Sequence, residues 1–160
     1  MPIILIGFMA AGKSSLARFL SEEFIDSDVY IEETFKIKIS DFIKKEGLEK
    51  FRSLEEKILP ELIQKYPVIA TGGGLVESEK NQRLLKNEKN VIYLKADFDI
   101  LLKRIRKDKK NNRPLAINAN TKELEKLYLK RIKIYEKLAK KIINTNKKSL
   151  EELVALIRMS

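Results

Sequence analysis

The sequence predicts an α/β fold, a parallel β-sheet covered by helices on both faces. Three observations predict it. Short apolar runs rich in β-branched residues alternate with longer stretches of helical period. The first of these runs, residues 2–6, breaks straight into GFMAAGKS, residues 7–14. A later run, PVIAT at 67–71, breaks straight into Gly72-Gly73-Gly74. Glycines at strand ends are what an open α/β sheet uses where its backbone approaches a ligand.

Each element follows in order. Residues 2–6 read as a buried strand and 14–23 as a helix with Leu16, Phe19 and Leu20 on one face. Phe24-Ile25 is a very short strand feeding Asp26-Ser27-Asp28. Residues 29–65 carry two or three helices, the clearest over 53–62 with apolar positions at 54, 58, 59 and 62. After the strand at 67–71, NVIYL at 90–94 is another strand. Asp97 then caps a helix reaching residue 107. Residues 107–120, KDKKNNRPLAINAN, are polar and without a period, so a flexible loop is expected there. A long amphipathic helix spans 121–140, a last strand 141–145, and a closing helix starts at Ser149. No period of 20–50 residues repeats. No linker divides the chain, so one domain is expected over residues 1–160.

Composition narrows the chemistry. With 44% hydrophobic and 35% charged residues, the chain reads as a globular protein with a heavily charged surface. No apolar run approaches the ~18 residues of a membrane span, and residues 2–8 are too short for a secretory signal, so a cytoplasmic location is expected. The sequence contains neither cysteine nor histidine. That excludes disulfides, thiolate or imidazole zinc sites, cysteine nucleophiles and a Ser-His-Asp triad. Carboxylates, lysines and hydroxyls remain, and these suit Mg²⁺. The formal charge of +10 comes mostly from lysines scattered in short groups. Aromatics are only 8% and tryptophan is absent, so the charge reads as a solvated surface rather than a nucleic-acid footprint.

GFMAAGKS matches G-x-x-x-x-G-K-[ST], in which consecutive backbone N–H groups curl around phosphate oxygens. The lysine, Lys13, reaches the β- and γ-phosphates, and the hydroxyl of Ser14 joins Mg²⁺. The following helix adds its N-terminal dipole. The preceding strand and following helix are the context that such a loop requires. An incidental strand-to-helix turn is the plain alternative.

Four further features point to a small, polar, anionic phosphate acceptor. Asp26 and Asp28, two apart at a strand end, project to one face, so one can hold Mg²⁺ through water and the other accept a hydroxyl proton; a solvated turn would look the same. Arg52 and Glu55 are three apart and, alone, read more readily as a surface helix pair. Arg131 occupies the apolar stripe of Leu124, Leu127, Tyr128, Tyr135 and Leu138. A cation there is costly unless it meets an anion or a buried carboxylate, or snorkels to solvent. Arg113, within the polar loop, is placed to fold over a transferring phosphate, although a surface loop that merely contains arginine is commoner.

Taken in order, GFMAAGKSS, FIDSD, FRSLE, ATGGG, NNRPL and RIKIY resemble the shikimate kinase family, within the nucleoside-monophosphate-kinase-like P-loop group. INTNKKSLEEL resembles the family's ending, so the likeness covers essentially the whole chain. The resemblance implies a three-layer α/β/α P-loop kinase fold with a five-stranded parallel sheet, a helical substrate-binding region at about 28–60 and a lid at about 107–120. It implies transfer of the γ-phosphoryl group of ATP to the 3-hydroxyl of shikimate, on the pathway to chorismate and aromatic amino acids, by a cytoplasmic monomer needing Mg²⁺. It further implies that Gly7, Ala10, Ala11, Gly12, Lys13, Ser14 and Ser15 hold the ATP phosphates, with Ser14 and, through water, Asp26 at the metal. Asp28 holds shikimate hydroxyls and is the candidate base. Arg52 and Arg131 grip the shikimate carboxylate, Glu55 orients them, and Gly73 and Gly74 offer backbone. Arg113 arrives with the lid, and Arg106 lies against adenine. The family commonly has Gly-Ser where this chain has Ala10-Ala11, and RPLL where this chain has RPLA. The rivals are a kinase of another hydroxy acid such as gluconate, and a nucleic-acid-binding NTPase favoured only by charge.

Overall fold

The computed structural model describes residues 1–107 and 120–159. Five strands form one sheet: β1 (Ile3–Ile6), β2 (Phe24–Asp26), β3 (Val68–Ala70), β4 (Val91–Lys95) and β5 (Lys141–Asn144). Their order is β2-β3-β1-β4-β5 and every pairing is parallel. Ile3 pairs with Val68 on one side of β1 and Ile4 with Val91 on the other, so β1 is central. Its residues Ile4, Leu5 and Ile6 have no exposed surface, as a strand covered on both faces requires.

Eight α-helices lie among the described residues. They are α1 (Lys13–Leu20), α2 (Ser27–Phe35), α3 (Ile39–Glu46), α4 (Leu48–Lys65), α5 (Glu79–Lys86), α6 (Phe98–Lys107), α7 (Thr121–Leu138) and α8 (Leu150–Arg158). A single 3₁₀ turn, Leu75–Glu77, follows the triglycine. None of these helices is long and apolar enough to cross a membrane. Serine, aspartate or asparagine caps several starts: Asp26 on α2, Ser78 on α5, Asn120 on α7, and Ser149 with Glu152 as a reciprocal capping box on α8.

Some helix boundaries shift from those expected. Helix α1 ends at Leu20 rather than residue 23, because Ser21 turns extended and its hydroxyl accepts the Glu23 N–H. Its buried face is accordingly Lys13, Leu16 and Ala17, and Phe19 is half exposed. Residues 29–65 resolve into the rest of α2 and two more helices, while α5 fills a stretch whose period made no prediction.

Candidate active site

The carboxyl ends of β2, β3 and β1 lie side by side in the sheet, and each delivers one part of a single cleft of about 390 Å³. From β1 comes the loop before α1. Gly12 at its end has φ +93°, a conformation that a side chain would strain, which lets the chain turn into the helix. The Lys13 ammonium folds back along this loop, donating to the carbonyls of Gly7 at 2.6 Å and Phe8 at 2.9 Å. Its long side chain is thereby buried beside the loop it serves. Ala10, Ala11, Gly12, Lys13, Ser14 and Ser15 all line the cleft, whereas Gly7 lies behind it, packed against the Leu94 carbonyl.

From β2 come the two aspartates, by a different route from a shared strand face. Asp26 ends β2, but Asp28 already belongs to the first turn of α2. The alternation of a strand therefore does not align them. The cap does: one Asp26 carboxylate oxygen accepts the N–H groups of Asp28 (2.9 Å) and Val29 (3.3 Å). The other oxygen accepts the Ser14 hydroxyl, joining the β2 end to the start of α1. Ser14 and Asp26 thus bring hydroxyl and carboxylate oxygens together, donors of the kind that could hold Mg²⁺.

Asp28 sits on the cleft floor and keeps some contact with water. Burial, reinforced by Asp26 and Glu55 and opposed by Lys13, pushes its carboxyl up to about 7. Gly72 is the close neighbour that permits this position: a Cβ there would come within 2.6 Å of the Asp28 carboxylate. The Gly72 N–H donates to the Ser27 hydroxyl at 2.8 Å, which ties the triglycine to α2.

From β3 comes the triglycine. Thr71 fixes its exit from the sheet by donating both N–H (3.1 Å) and hydroxyl (2.9 Å) to the Leu5 carbonyl. Beside Gly73 and Gly74 stand both predicted arginines; a Cβ on Gly74 would overlap Arg52 and approach Arg131 to 2.7 Å. Arg52, on α4, donates to Glu55 at 2.6 Å. Glu55 is almost wholly buried, and burial pushes it up to about 7 against the pull of Arg52. The pair is thus no solvated helix decoration.

Arg131, on α7, is 1% exposed. Its guanidinium stands 5.9 Å from the centre of the Phe8 ring, and its anion is Glu77, which accepts from Nε at 3.0 Å and Nη2 at 2.8 Å. The Tyr135 hydroxyl, one turn on, donates to the Gly73 carbonyl at 2.5 Å.

Sequence reasoning missed Glu77 and Arg104. Arg104 lines the cleft and donates to the Ala10 carbonyl at 3.3 Å, while Arg106 points outward and donates to Thr121 at 2.9 Å. Two arginines two apart on α6 face different ways, and their pattern alone does not say which faces the loop. Arg113 and residues 108–119 of the expected lid lie outside the described residues.

The cleft therefore joins the loop that carries Lys13 and Ser14 to two arginines beside backbone glycines. Comparison with known proteins gives this arrangement a family context. A family model described as shikimate kinase matches residues 9–159. The chain is 44% identical over 158 residues to the shikimate kinase of Lactococcus lactis subsp. cremoris, covering 99% of this chain and 96% of that one. It is 40% identical over 158 residues to that of Streptococcus thermophilus, covering 97% of each. Among solved structures, shikimate kinase from Acinetobacter baumannii in complex with shikimate matches with a TM-score of 0.90 at 35% identity, over 98% of this chain and 90% of that one. The Aquifex aeolicus enzyme matches at 0.82 and 30% identity, over 99% and 94%.

Proposed function

The chain belongs to the shikimate kinase family, and from its cleft we propose which residues grip each substrate. It is a shikimate kinase of the shikimate pathway, transferring the γ-phosphoryl group of ATP to shikimate. The observation that carries the residue assignment is one continuous cleft with Lys13 and Ser14 at one end, Arg52 and Arg131 at the other, and Asp28 between.

At the donor end, the loop N–H groups and the start of α1 bind the ATP phosphates, with Lys13 moving from the loop carbonyls to the β- and γ-oxygens. Ser14 and Asp26 hold Mg²⁺, Asp26 through water. When bound, Mg²⁺ neutralises phosphate charge and orients the triphosphate. At the acceptor end, Arg52 and Arg131 receive the shikimate carboxylate, and Gly73 and Gly74 supply backbone to the ring hydroxyls. Asp28 accepts a hydrogen bond from the 3-hydroxyl. That oxygen attacks the γ-phosphorus, the bond to the bridging oxygen breaks, ADP leaves, and the hydroxyl proton passes to Asp28. A carboxyl pushed up to about 7 suits both holding and releasing that proton near neutral pH. Phosphoryl transfer needs positioning and charge stabilisation more than covalent chemistry, so a chain without histidine or cysteine lacks nothing.

The reading extends to Arg106 against adenine; Arg113 and the lid expected at about 107–120 fall largely outside the described residues. It also takes residues 1–160 as one domain, with a substrate-binding region at about 28–60, working as a cytoplasmic monomer. The test is ADP release with shikimate, gluconate, quinate and nucleoside monophosphates in parallel. Shikimate-dependent release that needs Mg²⁺ is expected; its absence in the wild-type protein would sink the proposal.

A further inference from the structure

Glu77 touches both guanidinium groups at the acceptor end. One carboxylate oxygen takes Nε and Nη2 of Arg131 at 3.0 and 2.8 Å and stands 3.6 Å from Nη2 of Arg52. The other lies 2.8 Å from the ammonium of Lys130, which is mostly exposed. The turn carrying Glu77 is itself pinned from α5. Buried Asn81 donates to the Leu75 carbonyl at 3.1 Å, and Gln82 donates to the Val76 carbonyl at 2.8 Å. This is a built contact, anchored from three elements.

Its chemical effect follows from the shape of arginine. A guanidinium is planar, with its donors in a fixed fork. Glu77 engages the Nε–Nη2 edge, which sets the rotation of the plane. Nη1 is then left alongside the triglycine, 3.3 Å from where a Cβ of Gly73 would stand. The Tyr135 hydroxyl also accepts a hydrogen bond from this guanidinium, and the Phe8 ring attracts the cation without fixing its rotation; Glu77 supplies the countercharge and two hydrogen bonds. Arg52 is oriented separately by Glu55. Each arginine thus has its own carboxylate, and Glu77 couples the two.

We propose that Glu77 is a positioning residue for the acceptor: it holds Arg131 in the rotation that presents Nη1 to the substrate carboxylate, and so sets selectivity for an anionic acceptor. The inference rests on the reading of Arg52 and Arg131 as the carboxylate grip. It goes beyond that reading by assigning the acidic residue behind the grip.

The experiment measures ADP release by wild type, Glu77→Gln, Glu77→Asp, Lys130→Met and Arg131→Ala, with shikimate and with its methyl ester. Glu77→Gln should raise the shikimate KM about tenfold, the scale of one charge-assisted hydrogen bond. Its kcat and its KM for ATP should stay within about twofold of wild type, because the donor end does not depend on this contact. The preference for shikimate over the ester should shrink by a similar factor, which a general loosening of the fold would not produce. Glu77→Asp should recover part of the loss. Lys130→Met, altered at the surface, should shift the KM in the same direction by about threefold through a freer Glu77. An unchanged shikimate KM in Glu77→Gln, while Arg131→Ala raises it, would overturn the proposal and leave the carboxylate grip standing. A lower KM would overturn it too, since Glu77 would then be competing with the substrate for Arg131. If Arg131→Ala also leaves the KM unchanged, the grip itself is wrong and the proposal falls with it.

Discussion

Asp28 and Gly72 are in contact across the cleft floor, one from α2 and the other from the end of β3, with no room for a methyl group between them. Gly72→Ala would force the Asp28 carboxylate to move or the triglycine to shift. With Asp28 in its proposed role, a fall in kcat of about 100-fold is expected, the cost of displacing such a group by about an ångström. The folded state should lose about 1–3 kcal/mol to overpacking. Steady-state kinetics beside a urea titration checks both; wild-type kcat would show that Asp28 can relocate freely.

Lys13 holds the loop carbonyls and, in the proposed mechanism, the phosphates. The ammonium binds the Gly7 and Phe8 carbonyls without ligand and is assigned to the phosphates with it. Lys13→Ala should lower turnover about a thousandfold, the scale of losing a preorganised charge at a transferring group. ATP affinity measured by calorimetry should weaken as well. Turnover near wild type would remove Lys13 from the mechanism.

Arg131→Ala removes the buried cation of the acceptor end. The shikimate KM should rise about 100-fold, as for a lost charge-assisted contact to substrate, with the ATP KM little changed. Unchanged shikimate kinetics would show that the carboxylate binds elsewhere.

The raised carboxyls give a pH dependence of definite sign. Asp28 and Glu55 are both pushed up to about 7. Between the unfolded carboxylate range, about pH 4, and pH 7, the folded chain therefore holds more protons on them than the unfolded chain. The stability they contribute is present at the acidic end and is lost as pH rises through 7. Glu77 is held low: burial opposes this, but Lys130 and Arg131 outweigh it. Above about pH 5 it is ionised in both states and adds no slope; nearer pH 4 the unfolded chain holds the extra proton, so Glu77 there opposes the other two. Asp28→Asn should therefore stabilise the free protein at pH 8 by about 1–2 kcal/mol, as when a strained functional group is relieved, while abolishing turnover. Thermal melts at pH 5 and pH 8 read the first, and a flat stability difference between the two pH values would contradict the raised carboxyl. In wild type, kcat/KM for shikimate should climb as pH rises to about 7.

Much of this arrangement was legible in the residues, and the exceptions share a cause. The five strands and the phosphate loop are local patterns, so period and glycine placement locate them. Arg131 was legible because it breaks an apolar stripe that the rest of α7 keeps. Its partner was not. Glu77 lies on a 3₁₀ turn too short to show a period, and it meets Arg131 from 54 positions away. Asp26 and Asp28 do line one cleft, but a cap rather than a strand face aligns them. Helix α5 had a usable signal in Ser78 before Glu79, of the kind that marks helix starts. Arg104 had none, because an arginine on an amphipathic helix does not announce which surface it meets.

The central place of β1 also has a kinetic consequence. Its neighbours, β3 and β4, both come from much later in the chain, so Ile3 and Ile4 find their partners only after long loops close. Such closures are slow compared with helix formation. The loop from Gly7 to Gly12 is anchored on that strand and gains its shape with it. On dilution from denaturant, helical signal should return before catalysis does, and regain of ADP release should follow the insertion of the first strand into the middle of the sheet.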